Sequence, residues 1–209
     1  MKTRQVSMKF RQFATRFQYS MIAFLLICFS PLSALAQNKH SQMTQHSEPT
    51  ADQKSQQGAL IKIVRQETNR FHDVKVAEAE GYALTFGCVS GDDQGAMGLH
   101  YINFELVASD IIDARHPQAI IYEPTADGGV KLIGADYLVL ADTWDKTHST
   151  PPDLLGQWFH YFGTPNRFGL PAFYTLHVWA WKDNPNGAFV NWHPNVSCQQ
   201  FAGTADSTR

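Results

Sequence analysis

The sequence lacks the short motifs by which many enzymes are recognised. It contains no HExxH zinc motif, no GxSxG nucleophile elbow and no glycine-rich phosphate loop. The acidic stretch GDDQG (91–95) lacks the ligand spacing of a calcium loop and is typical of a turn. Hydrolysis by a serine triad and nucleotide chemistry are therefore not supported, and a functional site has to be assembled from residues far apart in the chain.

Charge is absent from residues 21–36, MIAFLLICFSPLSALA, which follow a basic segment without acidic residues. The run ends in ALA, the small-x-small pattern that signal peptidase recognises. Its short length and Pro31 disfavour a membrane span of about 20 residues, so a retained anchor is the weaker alternative. We expect residues 1–36 to be a cleaved signal peptide, and the remainder to be periplasmic or secreted with no stable membrane span.

Lysine and arginine are scarce after residue 36. The chain carries a net charge of −2, and its first 36 residues hold five basic and no acidic side chains, so the remainder carries −7. An acidic chain without clustered basic residues is poorly suited to phosphate contacts. The composition therefore argues against nucleic acid as a partner and leaves a small molecule or a metal ion.

The chain has only three cysteines, and Cys28 lies in the predicted signal. Export would place Cys88 and Cys198 in an oxidising compartment, where an even pair most simply forms a disulfide. Two metal-binding thiolates are the alternative, but no CxxC spacing supports them. We predict a Cys88–Cys198 disulfide that joins the early part of the folded region to its end.

Apolar side chains are nearly absent from residues 37–58, and this composition predicts a disordered polar linker. The pattern then changes, because Leu60, Val64 and Phe71 recur at helical spacing. This spacing predicts an amphipathic helix over 59–72.

Segments with strand character fill most of the remaining chain. Alternation and apolar runs predict strands at 82–89, 99–107, 119–123, 130–140, 175–181 and 188–192. The sequences TADGG (125–129) and NPNG (184–187) predict turns between neighbouring strands. We expect a single α+β domain over 59–198, with the N-terminal helix packed on a mostly antiparallel sheet, and a flexible tail over 199–209.

Two histidines fall on predicted strands. Alternation places His100 on the apolar face with Ile102 and Phe104, and it places His177 beside Trp179 and Trp181. A buried imidazole needs hydrogen-bond partners, and it can instead serve as a metal ligand or as an acid–base group. For His100, a core histidine bonded to a backbone carbonyl is the alternative.

Two carboxylates occupy comparable places. Asp136 is predicted to share the inward face of its strand with Leu132 and Leu138, unless a bulge at Gly134 switches the register. Glu123 ends the preceding strand. An inward acid must be paired, neutralised or metal-bound, although a carboxylate that caps a backbone donor is the simpler alternative. The candidate ligands of a divalent transition metal are therefore His100, His177, Asp136 and Glu123.

Aromatic side chains suggest two functions without chemistry. In the first, the protein is a binding module whose aromatic side chains line an apolar pocket for a small ligand. The candidate lining residues are Tyr101, Trp158, Trp179, Trp181 and Trp192. In the second, the protein is a structural component of the cell envelope and these rings only fill its core. A bound metal would favour the metal-site hypothesis over both of these possibilities.

Three segments resemble an uncharacterised family of small exported bacterial proteins. They are GAMGLHYIN (95–103), AIIYEP (119–124) and LHVWAWKDNPNGAFVNWHPNVSC (176–198). His100 and His177 match the pattern of that family, whereas histidine is uncommon at the position of His193. The resemblance implies export and one compact domain, and it implies no catalytic residue.

Overall fold

The computed structural model describes residues 48–203. The helices are α1 (Ala51–Thr68), α2 (Val74–Ala79), α3 (Phe104–Ala108) and α4 (Ala141–Trp144), and a 3-10 helix spans Asn69–His72. The strands are β1 (Ala83–Ser90), β2 (Ala96–Ile102), β3 (Ala119–Pro124), β4 (Val130–Leu140), β5 (Asp153–Leu154), β6 (Gln157–Trp158), β7 (His160–Phe162) and β8 (Phe173–Val178). The predicted signal peptide and most of the predicted linker lie outside the described residues.

Six strands form one antiparallel sheet in the order β1-β2-β3-β4-β8-β7, and β5 pairs with β6 in a separate hairpin. Phe86 of β1 and Phe162 of β7 pack in the same apolar cluster, although their strands are the two edges of the sheet. The sheet is therefore curled so that its edges approach each other on one side. This antiparallel sheet with its short helices confirms the α+β class.

The two faces of the sheet differ in composition. One face carries His100 of β2, Asp136 of β4 and His177 of β8, and we call it the histidine face. The other carries Tyr101 of β2 and Tyr122 of β3 in one cluster and Tyr137 of β4 in a second, and we call it the tyrosine face. All six of these side chains are buried, so the sheet has a core on both sides.

Helix α1 begins earlier than the sequence predicts. The hydroxyl of Thr50 accepts a hydrogen bond from the Gln53 amide (3.2 Å), and the Gln53 side chain accepts one from the Thr50 amide (2.8 Å). This capping box satisfies backbone donors that would otherwise lack partners. Residues 51–58 are therefore helical rather than part of a disordered linker, because a capped and exposed first turn needs no apolar side chains.

The predicted strand over 99–107 is wrong after Ile102. The side chain of Asn103 accepts hydrogen bonds from the amides of Glu105 (3.0 Å) and Leu106 (3.2 Å), and it thereby caps helix α3. An asparagine cap offers the backbone a helical start that competes with continued strand pairing. Phe104, predicted to point inward beside His100, is 51% exposed.

Strand β4 has the predicted bounds and contains a bulge. Tyr122 of β3 lies opposite Leu132 and Ile121 lies opposite Gly134, so Ile133 is an additional residue without a partner position. Leu132 packs with Tyr122 on the tyrosine face, whereas Asp136 lies on the histidine face. The prediction that Asp136 and Leu132 share a face is therefore wrong, and the bulge that was the alternative is present one residue away from Gly134.

The chain after β8 forms turns rather than the predicted return strand. The NPNG turn is present, with the Gly187 amide bonded to the Asn184 carbonyl (3.0 Å), but residues 188–192 form no strand. Cys198 in this region forms the predicted disulfide with Cys88 (S–S 2.06 Å). Phe201, in the predicted flexible tail, packs against the cluster that contains Tyr101 and Tyr122. Within residues 48–203, no helix has both the length and the apolar character needed to cross a membrane.

Candidate functional site

Strand pairing brings three of the four predicted ligands together. Asp136 of β4 lies directly opposite His177 of β8. His100 of β2 lies opposite Ile121 of β3, which in turn lies opposite Gly134 of β4. Because the sheet curls, the side chains of β2 and β8 converge over the two strands between them. The resulting triad consists of His100, Asp136 and His177.

The two imidazoles of the triad face each other through their Nε2 atoms. These atoms are 3.2 Å apart, and the ring centroids are 5.4 Å apart with the planes at 81°. A zinc ion with Zn–N bonds of about 2.0–2.1 Å and a tetrahedral angle would separate two ligand nitrogens by about 3.3 Å. The spacing of the two nitrogens thus matches a pair of ligands on one metal ion.

Asp136 completes the group. One potential ligand atom from each of His100, Asp136 and His177 lies within 4.8 Å of the other two. The Asp136 Oδ1 atom lies 3.7 Å from Nδ1 of His177 and accepts a hydrogen bond of 2.5 Å from the hydroxyl of Thr175. The carboxylate is therefore held in place by its neighbour and lies close enough to be either a ligand or the partner that orients His177.

Burial sets the protonation states of the triad. It lowers the pKa of His100 to about 4, with a further contribution from the adjacent His177, and it lowers the pKa of His177 to about 3. Burial also raises the pKa of Asp136 to about 6, while His100 and the Thr175 hydrogen bond act in the opposite direction. At neutral pH the imidazoles are neutral and the carboxylate is ionised, which are the forms that bind a metal.

Some polar atoms of the triad lack ordinary hydrogen bonds. The Nδ1 atoms of His100 and His177 are buried, and neither makes a hydrogen bond of normal geometry within residues 48–203, although the Gly98 backbone and the Asn191 side chain lie close enough to raise the pKa of His100 and His177, respectively, against the effect of burial. A buried polar atom without a partner typically costs about 1–3 kcal/mol. Such atoms are uncommon in folded proteins, and here two of them lie in facing rings beside a buried carboxylate.

A cavity opens beside the triad on the histidine face. Its volume of about 20 Å³ suffices for about one or two waters. The triad and Thr175 form its polar wall. The remaining eight lining residues are apolar: Phe86, Met97, Ile102, Leu138, Phe162, Phe168, Leu170 and Phe173.

The backbone of Phe86 is strained where it lines this cavity. Its φ is 66°, in the left-handed region that a bulky residue rarely adopts. Phe86 lies within an irregularity of β1 between Thr85 and Cys88, and its ring packs on Phe168 with centroids 5.4 Å apart. Strain of this kind is often found at binding sites, where surrounding contacts maintain it.

Glu123, the fourth predicted ligand, does not belong to the triad. Both of its carboxylate oxygens accept hydrogen bonds from Lys182 Nζ, at 2.8 and 2.6 Å. The amide of Ser197 also donates to Glu123 Oε1 (3.3 Å). The side chain therefore ties β3 to the chain after β8, and it is satisfied as an ion pair rather than available to a metal.

The aromatic residues predicted to line a pocket do not gather around this cavity. Tyr101 lies on the tyrosine face against Tyr122, and Trp158 is 59% exposed on β6. Trp192 packs over Gly91, while Trp179 is buried beside His177 and His193. None of these rings lines the cavity, whose aromatic wall consists of phenylalanines instead.

Trp181 does not share a face with His177, contrary to the prediction. Regular pairing of β8 ends at Val178, and the Ala180 amide bonds to the Val178 carbonyl in a tight turn. This turn breaks the alternation on which the prediction depended. The indole of Trp181 donates to the Thr68 hydroxyl (3.0 Å), away from the triad.

His193 is buried but does not join the triad. Its Nδ1 atom accepts a hydrogen bond from the Asn195 amide (3.1 Å), and its ring meets the Trp179 ring edge-on with centroids 5.0 Å apart. These contacts give the ring a packing role in the last loop.

Sequence reasoning missed Thr175 and the phenylalanines of the cavity. Phe173, Thr175 and His177 alternate along β8 and all line the cavity. Extending the alternation from His177 back along β8 by four residues would have identified Thr175 and Phe173. Phe162 and Phe168 carry no comparable signal, since the curl of the sheet and the loop before β8 bring them to the site.

Comparison of the chain with protein-family models, curated proteins and solved structures finds no match. The geometry of the triad therefore carries the functional argument.

Proposed function

We propose that this chain is an exported protein that binds a divalent transition metal through His100, His177 and Asp136. The observation that carries the proposal is the 3.2 Å separation of two imidazole nitrogens beside a buried carboxylate. Imidazole and carboxylate donors suit zinc and the neighbouring divalent metals, including iron. Three protein ligands leave a coordination position open, which is typical of catalytic rather than structural sites.

Asp136 has two possible roles at this site. As a ligand it would complete a two-histidine, one-carboxylate set. As an orienting partner it would hold the Nδ1 side of His177 while Nε2 binds the metal, and loss of such a partner typically costs about 10–100-fold in metal affinity. The size of the loss in metal affinity distinguishes the two roles, because loss of a direct ligand would cost more affinity than loss of an orienting group.

Export and the overall assembly are part of the same proposal. The Cys88–Cys198 disulfide is compatible with an oxidising compartment, as the signal-like N-terminus and the resemblance to small exported bacterial proteins also suggest. Leu60 and Val64 of α1 belong to the cluster that contains Tyr137, which supports a helix that covers the tyrosine face of a single domain. This cover would leave the histidine face to the loops that enclose the cavity.

A non-catalytic binding module is the second candidate. The observation that favours it is the apolar wall of the cavity, with four phenylalanines at a single site. In that case the end of a small apolar molecule would enter the cavity without a metal, and His100 and His177 would only hydrogen-bond to each other. Metal content decides between the two candidates.

The first experiment measures metal in the mature protein purified without a polyhistidine tag. We expect near-stoichiometric metal in the parent and its loss in His100→Ala and His177→Ala. The matched control is His116→Ala, because His116 also lies beside a carboxylate (2.7 Å from Asp113) but is exposed and has no second imidazole. Metal-free parent protein that binds no added zinc or iron would refute the metal site.

A further inference from the structure

We propose that the open coordination position beside the triad takes a small monoanion. The inference rests on the metal site proposed above and adds the class of ligand that this site accepts. It follows from two features of the cavity, its charge and its size, which are independent of each other.

The charge of the loaded site favours one negative charge. A divalent metal, the Asp136 carboxylate and two neutral imidazoles together carry +1. Among the residues that the structure describes, Asp136 is the only acidic one that lines the cavity and no lysine or arginine lines it, and apart from the triad its walls are Thr175 and apolar side chains. A net charge in such surroundings is costly, so a monoanion that makes the assembly neutral binds better than a neutral molecule or a dianion.

The size of the cavity limits that monoanion to a few atoms. The cavity volume of about 20 Å³ is enough for about one or two waters. Phe86, Phe168 and Phe173 restrict any extension, and the rings of Phe86 and Phe168 pack against each other. A hydroxide ion or a linear triatomic anion fits within this space, whereas an aromatic carboxylate would have to extend beyond it.

The test uses the mature protein reconstituted with cobalt(II), whose visible spectrum reports its ligands. Azide and acetonitrile are the matched probes, because both are linear with three heavy atoms and only azide is charged. We expect azide to change the cobalt spectrum with an affinity at least about tenfold above that of acetonitrile, which corresponds to about 1.4 kcal/mol. Equal affinities of the two probes would overturn the charge argument.

Two lining variants test the location and the size limit. Leu138→Phe narrows the cavity, and we expect it to weaken azide binding about tenfold while one cobalt ion is retained. Phe168→Ala widens the cavity, and we expect it to admit benzoate, which the parent excludes. Ile111→Ala is the control, since Ile111 is 65% exposed and should leave both probes unaffected.

The outcomes separate this inference from the metal site. Protein that binds no cobalt overturns both. Protein that binds cobalt but gives no azide response, or responds equally in the parent and Leu138→Phe, overturns only the monoanion site. Should Leu138→Phe fail to fold, Phe168→Ala still decides, because unchanged exclusion of benzoate in that variant contradicts the proposed walls.

Discussion

The two faces of the sheet differ in whether particular buried side chains have ordinary hydrogen-bond partners. On the tyrosine face, the hydroxyls of Tyr122 and Tyr137 donate to the carbonyls of Phe71 (2.8 Å) and Ala114 (2.7 Å). On the histidine face, buried Nδ1 atoms of His100 and His177 make no ordinary hydrogen bond within the described residues. The tyrosine hydroxyls stabilise the fold, whereas the two imidazoles each bury a nitrogen atom without an ordinary hydrogen bond, which costs stability.

The largest expected effect comes from substitution of two adjacent residues of β3 whose side chains lie on opposite faces of the sheet. Ile120 packs on the tyrosine face, Ile121 lies opposite His100, and both are 0% exposed. We expect Ile120→Ala and Ile121→Ala each to lower the free energy of unfolding by about 2–5 kcal/mol, because each leaves a cavity. Only Ile121→Ala should also weaken metal binding. Urea unfolding and metal titration measure the two quantities, and equal losses of metal affinity would contradict the division between the faces.

Metal itself should stabilise the histidine face. Zinc at a free concentration one hundredfold above its dissociation constant would raise the free energy of unfolding by about 2.7 kcal/mol. His177→Ala should abolish this gain, and Asp136→Asn should reduce zinc affinity by about 10–100-fold if Asp136 only orients His177. Thermal unfolding with and without zinc gives the gain, and a direct zinc titration gives the affinities. A gain that persists in His177→Ala would place the zinc elsewhere.

A smaller effect compares polar groups in the metal-free protein. Tyr122→Phe leaves the Phe71 carbonyl without its partner, so we expect a loss of about 0.5–1.5 kcal/mol in the free energy of unfolding. The double variant His100→Leu/His177→Leu removes both imidazoles, and we expect it to be neutral or stabilising while metal binding is lost. If His100→Leu/His177→Leu is less stable than Tyr122→Phe, the imidazole pair is part of the structural core and the contrast between the faces is wrong.

The smallest expected effect lies outside both buried faces. Arg70 donates to both oxygens of Glu80 at 2.7 Å, and this hydrogen-bonded pairing lowers the pKa of the partly exposed Glu80 carboxyl. A group whose pKa is lower in the folded state stabilises the protein at pH values above its unfolded pKa, and the contribution disappears as the pH falls through the folded pKa. We expect Glu80→Gln to cost at most about 0.2–1 kcal/mol at neutral pH and nothing at strongly acidic pH. Unfolding curves across this pH range give the free energy of unfolding of parent and variant. A difference between the two that does not change with pH would mean that the pair contributes nothing through its charge.

Local sequence pattern was sufficient for much of the sheet. Strand β4 has the predicted bounds, and β1 and β3 agree with prediction to within one residue at either end. Period-two alternation and turn sequences specify such segments because they depend only on neighbouring residues. The prediction failed at Asn103, where a side-chain cap starts a helix, and over 188–192, where the chain forms turns instead of a strand.

The candidate site shows more clearly the same limit of prediction from local sequence. Residue chemistry selected His100, His177 and Asp136, because imidazoles and an acid on inward strand positions are rarely placed there without a use. It could not reject Glu123, whose partner Lys182 lies 59 positions away in the chain. It also could not find Phe162 or Phe168, which reach the cavity only through the curl of the sheet and the loop that follows β7.

The sequence by itself determined the α+β class, the cysteine pair and the residues with the chemistry to bind a metal. The tertiary structure decided that Asp136 faces His177, through an additional residue at Ile133, and that two imidazoles from strands three places apart in the sheet meet at 3.2 Å. The physical reason is the range of the interactions. Alternation fixes which side of its own strand a residue occupies, whereas register, bulges and curl depend on contacts between strands that are distant in the sequence.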